Sequence, residues 1–281
     1  MKKIAVIGAG TMGNGIAHVF AQKGFQVHLI DSQKDALDKA ILTIEKNLDR
    51  QINKGLTTAE DKANTLHRIA KFTTIELGVT DVDLIIEAAT ENSEIKKSIF
   101  KQMDQFAKAD CILATNTSSI SISQLAAVTN RPEKVIGMHF MNPVPVMKLV
   151  EIINGSATDT TTTNSIVGLT KMIDKMPCVV KDAPGFIANR ILMPMINEAI
   201  HAFSEGISDA ATIDQIMKLG MAHPMGPLQL ADYIGLDVCK NILDIMHDGF
   251  QNDKYAPCLL LVEMVNAGKL GVKSGEGFYK Y

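Results

Sequence analysis

The stretch VIGAGTMGNGIA, from Val6 to Ala17, decides how this sequence is interpreted, because three of its glycines have the spacing GxGxxG. The apolar run Lys3–Ile7 before it predicts a strand, and the apolar positions after Gly13 fall on one helical face. A second apolar run, Gln26–Ile30, predicts another strand that ends in Asp31. A glycine-rich turn between a strand and a helix, followed by a second strand, is typical of a dinucleotide-binding βαβ unit.

Each part of this turn has a physical task in such a unit. Gly8 allows the tight turn, Gly10 allows close approach of a pyrophosphate, and Gly13 allows close packing of helix on strand. Thr11 and Met12 begin the helix, whose N-terminus favours an anion. Asp31 follows Gly13 by 18 residues (31 − 13), near the interval of about 20 at which a carboxylate binds the adenosine ribose. A carboxylate repels a 2′-phosphate, so we expect NAD rather than NADP.

A helical hairpin is predicted after Asp31, at about residues 35–67. Its first helix has apolar residues at helical spacing and ends near Gly55, a suitable C-terminal cap. Its second helix begins with Thr57 and Glu60, which have capping-box spacing, and runs to about His67. We expect the hairpin to protrude as an arm between the second and third strands. The residues that define its first apolar stripe are Leu37, Ile41, Ile44, Leu48 and Ile52.

Strands and helices alternate through the next part of the chain, which predicts a mostly parallel sheet covered on both faces. Ligands of such sheets bind at the carboxyl ends of the strands, and Glu91, Asn116 and Ser118 each follow a predicted strand. The predicted strands are Ile69–Thr73, Leu84–Ala88, Ile112–Thr115, Val135–Met138 and Val150–Ile153, and the predicted helices are Ser93–Phe106 and Ser121–Val128.

A domain boundary is predicted at KDAPGF, residues 181–186, because Pro184-Gly185 interrupts regular structure. We therefore expect a Rossmann-like α/β domain at residues 1–183 and an all-α domain at residues 184–281. The first helix after the boundary is apolar around most of its circumference, with a kink expected at Pro194. Such a helix is buried in a core or in a subunit interface.

The composition excludes several classes of function. The 281 residues are 46% hydrophobic, the formal charge is −3, and no basic segment with interleaved aromatics suggests nucleic-acid binding. No apolar run approaches the length of about 18 residues that a membrane span needs. The four cysteines form no CxxC pair, which favours reduced thiols and a reducing compartment. Glu198 and His201 have metal-site spacing but lack the further helical carboxylates, so we predict no metal.

His139 and Glu151 each interrupt a short apolar run within the segment Gly137–Ile153. An unpaired carboxylate in an apolar setting is costly, so Glu151 needs a partner, and His139 lies twelve positions upstream (151 − 139). Oxidation of an alcohol by hydride transfer requires a base that takes the hydroxyl proton, and histidine titrates near neutral pH. A carboxylate on the far ring nitrogen would fix the tautomer. We therefore predict a His139–Glu151 acid/base pair.

Six stretches together resemble the short-chain L-3-hydroxyacyl-CoA dehydrogenases, and most closely their bacterial 3-hydroxybutyryl-CoA branch. The resemblance spans essentially the whole chain and implies NAD-dependent oxidation of the C3 hydroxyl of an acyl-CoA, or the reverse reduction. Together with the surplus of apolar residues in the helical domain, it predicts a homodimer that forms through that domain, and we expect the protein to be cytoplasmic. The stretches are VIGAGTMGNGIA, NTSSISI, GMHFMNPVPVMKLVEI, PGFIANRIL, HPMGPLQLADYIGLD and KSGEGFYKY.

The same resemblance assigns further residues. It makes His139 the catalytic base and Glu151 its orienting carboxylate, with Ser118 and Asn189 as substrate contacts. It places Arg50 and Lys54 against coenzyme A, although some family members have lysine where this chain has Arg50 and Asn53. The residues it places around the nicotinamide half of NAD are Glu91, Lys96, Asn142 and Lys273, beside Asn116 and Ser118.

Two other functions are compatible with parts of the pattern. One is a different two-domain NAD(P)-dependent hydroxyacid dehydrogenase with a catalytic lysine in its helical domain. The other is a non-catalytic protein that binds NAD. The His139–Glu151 pair and the helical hairpin argue against the first, and the presence of every expected site residue argues against the second.

Overall fold

The computed structural model describes residues 1–281, which form two compact units, Met1–Asp182 and Ala183–Tyr281. The first unit is an α/β layer structure and the second is helical. The strands of the first unit are β1 Lys3–Ile7, β2 Gln26–Ile30, β3 Ile69–Phe72, β4 Leu84–Glu87, β5 Ile112–Thr115, β6 Val135–Phe140, β7 Leu149–Asn154 and β8 Met176–Lys181. Its helices are α1 Thr11–Gln22, α2 Lys34–Asn53, α3 Ala59–His67, α4 Ile75–Val79, α5 Ser93–Phe106, α6 Ile122–Ala126 and α7 Thr160–Met172.

The eight strands form one sheet in the order β3-β2-β1-β4-β5-β6-β7-β8. Strands β1 to β6 are mutually parallel, β7 is antiparallel to β6, and β8 is parallel to β7. The predicted mostly parallel sheet is therefore confirmed. The strand order reverses between β1 and β4, where connections leave in opposite directions and open a crevice at the carboxyl ends.

In the first unit, three elements were absent from the sequence prediction: α4, α7 and β8. Helix α7 contains four successive threonines, Thr160 to Thr163, whose branched side chains weaken helix propensity. Strand β8 lies at the edge of the sheet, so it has no continuous buried run that a pattern could reveal. Strands β6 and β7 are also longer than predicted, and β6 includes His139.

The helical hairpin forms, but its first helix, α2, packs against the rest of the first unit. Leu37, Ile44 and Leu48 of α2 are fully buried in the main apolar core, which they share with residues of α1. The predicted capping box at Thr57 and Glu60 is wrong by one residue. Thr58 caps α3 instead, because its hydroxyl accepts from the Asp61 N–H at 3.1 Å while the Asp61 carboxylate accepts from the Thr58 N–H at 3.2 Å.

The second unit contains five helices around their own apolar core. Helix α8 continues through Pro194, and its inner face buries Met193, Ile196 and Ile200. No helix of the chain combines the length and the apolar character that crossing a membrane requires. The helices are α8 Ala188–Ser204, α9 Ala210–Gly220, α10 Pro227–Ile234, α11 Leu236–Phe250 and α12 Leu259–Asn266.

One histidine of the first unit should make folding sensitive to acid. His18 of α1 is fully buried and neither ring nitrogen has a hydrogen-bond partner. Burial, together with the charge of Lys175, lowers the pKa of His18 from 6.5 to about 4. As pH falls through this range the unfolded chain binds a proton that the folded chain does not, so the free energy of unfolding decreases, by about 3 kcal/mol in total.

Urea unfolding of the wild type and of His18→Leu at about pH 7 and about pH 5 measures this effect. The wild type should lose more stability than His18→Leu between the two pH values, because the variant lacks the titrating ring. His67→Leu, which replaces an exposed histidine of α3, is the matched control and should keep the wild-type pH dependence. Equal pH dependence in the wild type and His18→Leu would contradict the assignment.

Candidate active site

The glycine loop, residues 8–13, connects β1 to α1 at the carboxyl end of the sheet. Gly8 has φ +102°, and a Cβ there would lie 2.5 Å from the Ala88 carbonyl oxygen. A Cβ on Gly13 would lie 1.8 Å from the Gly8 carbonyl oxygen, so helix and loop touch. At Gly10, by contrast, a Cβ would meet nothing within 4 Å. Gly8 and Gly13 are thus required by packing, whereas Gly10 faces open space.

This loop fits the pyrophosphate of a dinucleotide. No side chain caps the first turn of α1 and no acidic residue lies in that turn, so its N–H groups and positive end are available to an anion. Asp31 follows β2 beside the loop. Its Oδ2 accepts from the Ala9 N–H at 2.8 Å and its Oδ1 from the Gln33 N–H at 2.9 Å. These bonds fix the position of the Asp31 carboxylate beside the glycine loop.

His139 and Glu151 are brought together by the antiparallel pairing of β6 and β7. The two residues are directly opposite in the register, so their side chains share one face of the sheet. His139 Nδ1 lies 2.8 Å from Glu151 Oε2. Both side chains are buried, with relative exposures of 11% and 4%. The carboxylate thus has the partner that the sequence required, and the pair lies in an environment with little water.

The serine loop, residues 116–121, follows β5 and is held on two sides. Asn116 Oδ1 accepts from the Phe140 N–H at 2.9 Å, which ties the loop to the strand that carries His139. Glu91 Oε1 accepts from Thr117 Oγ1 at 2.5 Å, from Ser119 Oγ at 2.8 Å and from the Ser118 N–H at 3.1 Å. The loop therefore has a fixed backbone, and Ser118 is positioned by it.

Burial raises the pKa of Glu91, but the Lys96 charge and the hydrogen bonds from the serine loop lower it further, so the pKa lies below its usual value. Glu91 is thus ionised at neutral pH. Lys96 is itself almost fully buried, with Nζ 3.3 Å from Glu91 Oε2 and 2.7 Å from Glu87 Oε1. The structure therefore places Lys96 behind Glu91 rather than on the surface.

The remaining predicted residues lie in several places. Asn142 is exposed in the loop between β6 and β7, and Arg50 and Lys54 are exposed at the end of α2. Asn189 is buried in the first turn of α8, in the second unit. Lys273, also in the second unit, forms an ion pair with Asp237 at 2.5 Å. No group of three or more His, Cys, Asp or Glu side chains is arranged to hold a metal ion.

Comparison with known proteins identifies the family of this chain. Residues 3–183 match the family model described as the NAD binding domain of 3-hydroxyacyl-CoA dehydrogenase, and residues 185–281 match the model of its C-terminal domain. The chain belongs to the 3-hydroxyacyl-CoA dehydrogenase family. It is therefore an NAD-dependent oxidoreductase.

Members of the 3-hydroxyacyl-CoA dehydrogenase family match the whole chain. A 3-hydroxybutyryl-CoA dehydrogenase of Bradyrhizobium diazoefficiens is 50% identical over 281 residues, covering 100% of this chain and 96% of that protein. One from Clostridioides difficile is 48% identical over 279 residues, covering 99% of each. The crystal structure of (S)-3-hydroxybutyryl-CoA dehydrogenase from Ralstonia eutropha has a TM-score of 0.97 at 47% identity, covering 100% of this chain and 99% of that one.

Sequence reasoning missed two residues of this site, Glu87 and Thr115. Both are fully buried at the ends of adjacent strands, β4 and β5, and the Thr115 hydroxyl donates to Glu87 Oε2 at 2.7 Å. A signal was present, since Glu87 interrupts an apolar strand just as Glu151 does. The same demand for a buried partner would have identified it.

Proposed function

We propose that this chain oxidises (S)-3-hydroxyacyl-CoA, with 3-hydroxybutyryl-CoA as its main substrate, to the 3-oxoacyl-CoA, and catalyses the reverse reduction. One observation carries the proposal within the family: the buried contact between His139 Nδ1 and Glu151 Oε2 at 2.8 Å. A carboxylate on Nδ1 makes Nε2 the nitrogen that exchanges a proton with substrate. This is the arrangement that acid/base catalysis at a hydroxyl requires.

In the oxidation, His139 takes the proton of the C3 hydroxyl and becomes an imidazolium. Bound NAD⁺ supplies the hydride acceptor. Glu151 holds the ring in one orientation and stabilises its positive charge, an effect that burial of the pair strengthens because little water screens it. In the reduction, the imidazolium returns the proton to the carbonyl oxygen.

Substrate orientation is assigned to Ser118 and Asn189. The fixed backbone of the serine loop supports the first of these roles, since Ser118 cannot drift while Glu91 holds the loop. A hydroxyl and an amide suit the reacting oxygen and the thioester carbonyl, and such positioning accounts for several kcal/mol of a barrier.

NAD is assigned to the glycine loop and to the strand ends beside it. We assign the pyrophosphate to Gly8, Gly10, Thr11, Met12 and Gly13, and the adenosine ribose to Asp31. The nicotinamide half is assigned to Glu91, Lys96, Asn116, Ser118, Asn142 and Lys273. Except for Lys273, these residues lie in the proposed NAD-binding domain, residues 1–183, and we assign dimerisation and part of substrate binding to residues 184–281.

Arg50 and Lys54 are assigned to the phosphates of coenzyme A. Both are exposed at the end of α2, and no carboxylate pairs with either, whereas nearby Lys62 is paired with Glu45 and Asp49. Steady-state kinetics across acyl-CoA chain lengths, with the free hydroxy acids in parallel, tests the substrate assignment. Activity that is highest with the four-carbon thioester supports it, and turnover of free acids alone would refute it.

The protein is proposed to form a homodimer through its helical unit, in the cytoplasm. Apolar side chains exposed on that unit support the dimer: Ile191, Ile216, Leu219 and Leu259 are each more than half exposed. All four cysteines are free thiols, which suits a reducing compartment. Light scattering tests the dimer, and a mass near 30.5 kDa, that of one chain, would refute it.

Asp31 should set the choice between NAD and NADP. Asp31→Asn removes the charge that binds the ribose hydroxyls and repels a 2′-phosphate, so the preference for NADH over NADPH should fall by about tenfold or more. The measurement is kcat/KM with each cofactor at fixed acetoacetyl-CoA. Asp35→Asn, an exposed position in the first turn of α2, is the matched control and should keep the wild-type ratio. An unchanged ratio in Asp31→Asn would contradict this role.

A further inference from the structure

Glu87 lies at the edge of the sheet that carries the candidate site, and none of the roles assigned above includes it. It is the last residue of β4, at the point where the strand order reverses, and it is fully buried. Its neighbours in the sheet are β1, which leads into the glycine loop, and β5, which leads into the serine loop. The residue thus lies between the two loops assigned to cofactor and substrate.

The carboxylate of Glu87 accepts four hydrogen bonds. Oε1 accepts from Lys96 Nζ at 2.7 Å and from the Ala89 N–H at 2.7 Å. Oε2 accepts from Lys96 Nζ at 2.9 Å and from Thr115 Oγ1 at 2.7 Å. All four hydrogen bonds end on the two carboxylate oxygens, so an amide of the same shape, whose nitrogen can only donate, cannot satisfy the arrangement.

One branch of this network reaches the glycine loop. Glu87 binds the N–H of Ala89, and Lys96 Nζ lies 3.3 Å from the Ala89 carbonyl oxygen, so the pair fixes this part of the backbone from two directions. Gly8 packs directly against it, since a Cβ on Gly8 would lie 2.9 Å from the Ala89 nitrogen. The position of Ala89 therefore limits the position of the glycine loop.

The other branch reaches the serine loop by two routes. Thr115 Oγ1 donates to Glu87 and accepts from the Thr117 N–H at 3.1 Å. Lys96 connects Glu87 to Glu91, which holds Thr117, Ser118 and Ser119. Glu87 therefore acts on both ends of the segment that carries Ser118.

A buried ion pair adds little net stability, because desolvation of the two charges offsets their attraction. The side chains of Glu87 and Lys96 are only 0% and 1% exposed, so this cost is nearly complete. Apolar residues would fill the same space without this desolvation cost. The fixed geometry that the pair imposes on two loops is a benefit that apolar packing would not provide.

We propose that Glu87 is a positioning residue that holds the glycine loop and the serine loop in one arrangement, through Ala89 on one side and through Thr115 and Lys96 on the other. The inference rests on the proposed function, since it takes these loops as the sites of NAD and acyl-CoA. The lowered pKa of Glu91, which lies beside Lys96, agrees with this proposal, because an ionised Glu91 holds the serine loop.

Two variants separate the branches. Glu87→Gln should disturb both loops and raise the Kd for NADH by about tenfold or more, with a fall in kcat of similar size. Thr115→Val removes only the link to the serine loop, so KM for acetoacetyl-CoA should rise or kcat should fall by about tenfold, while the Kd for NADH stays within about twofold of wild type. Thr115→Ser keeps the hydroxyl and should restore the wild-type values.

The readouts are NADH binding by fluorescence titration, steady-state kinetics and thermal unfolding. Glu94→Gln and Thr80→Val replace exposed residues of the same unit and are the matched controls. If Glu87→Gln binds NADH as the wild type does, or if Thr115→Val and Thr115→Ser behave alike, the inference is overturned. Should the wild type bind NADH but not reduce acyl-CoA, the proposed function fails, and the NADH titration of Glu87→Gln still decides the cofactor branch.

Discussion

His139→Ala should lower kcat by about 10³-fold, within the range of about 10² to 10⁴ expected when a general acid/base is removed. The imidazole is the group assigned to carry the proton of the C3 hydroxyl, and no other histidine lies on β6 or β7. Alanine removes the ring without adding a new charge to the buried position. In the oxidation no side chain would then take up the hydroxyl proton, and in the reduction none would give a proton to the carbonyl oxygen. The loss should appear in kcat with acetoacetyl-CoA and NADH.

The same variant should bind NADH normally, because the glycine loop and Asp31 follow β1 and β2, whereas His139 lies on β6. A fluorescence titration that gives a wild-type Kd separates the loss of chemistry from a loss of folding. His247→Ala, on the surface of the helical unit, is the matched control and should retain wild-type turnover. Equal turnover by His139→Ala and wild type would show that another group is the base.

Glu151→Gln should lower kcat by about 10²-fold or more, the second-largest effect expected of a single substitution. Glutamine keeps the size of the side chain but has no charge, so the imidazolium that forms during oxidation loses its stabilisation. The amide can also donate to the ring and favour the wrong tautomer, an effect that costs up to about 10⁴ in the serine protease triad. Steady-state kinetics in both directions measures the loss.

Glu60→Gln, at an exposed position at the start of α3, is the matched control for Glu151→Gln and should be silent. The combination His139→Ala with Glu151→Gln provides a further check. Because Glu151 acts only through His139, the double variant should be no slower than His139→Ala alone. A multiplied loss in the double variant would mean that Glu151 has an independent role.

Much of the fold could be predicted because the local patterns agree with the tertiary structure. Strands β1 and β2 have the predicted bounds, since each is a buried apolar run next to a glycine turn or an acidic residue. The threonine-rich α7 and the edge strand β8 could not be recognised, because their stability comes from packing rather than from propensity or periodicity. Likewise, either Thr57 or Thr58 could cap α3, and only the folded geometry selects Thr58.

The site was predicted in part for a similar reason. The register of β6 and β7 brings His139 opposite Glu151, as the need for a buried partner suggested. The contacts among Glu87, Lys96 and Thr115 depend on which strands become neighbours in the sheet. A sequence does not state this directly. The clearest example of such a contact is that of Lys96. This lysine lies on the inner face of the amphipathic helix α5 and is buried there.

The most direct test of the account is the decrease in the near-ultraviolet absorbance of NADH when acetoacetyl-CoA is added to the purified protein. Free acetoacetate is added to a parallel sample. We expect NADH to be consumed in a one-to-one ratio with acetoacetyl-CoA and hardly at all with acetoacetate, because the buried acid/base pair needs a substrate positioned through coenzyme A. Consumption of NADH with acetoacetate but not with acetoacetyl-CoA would contradict the account.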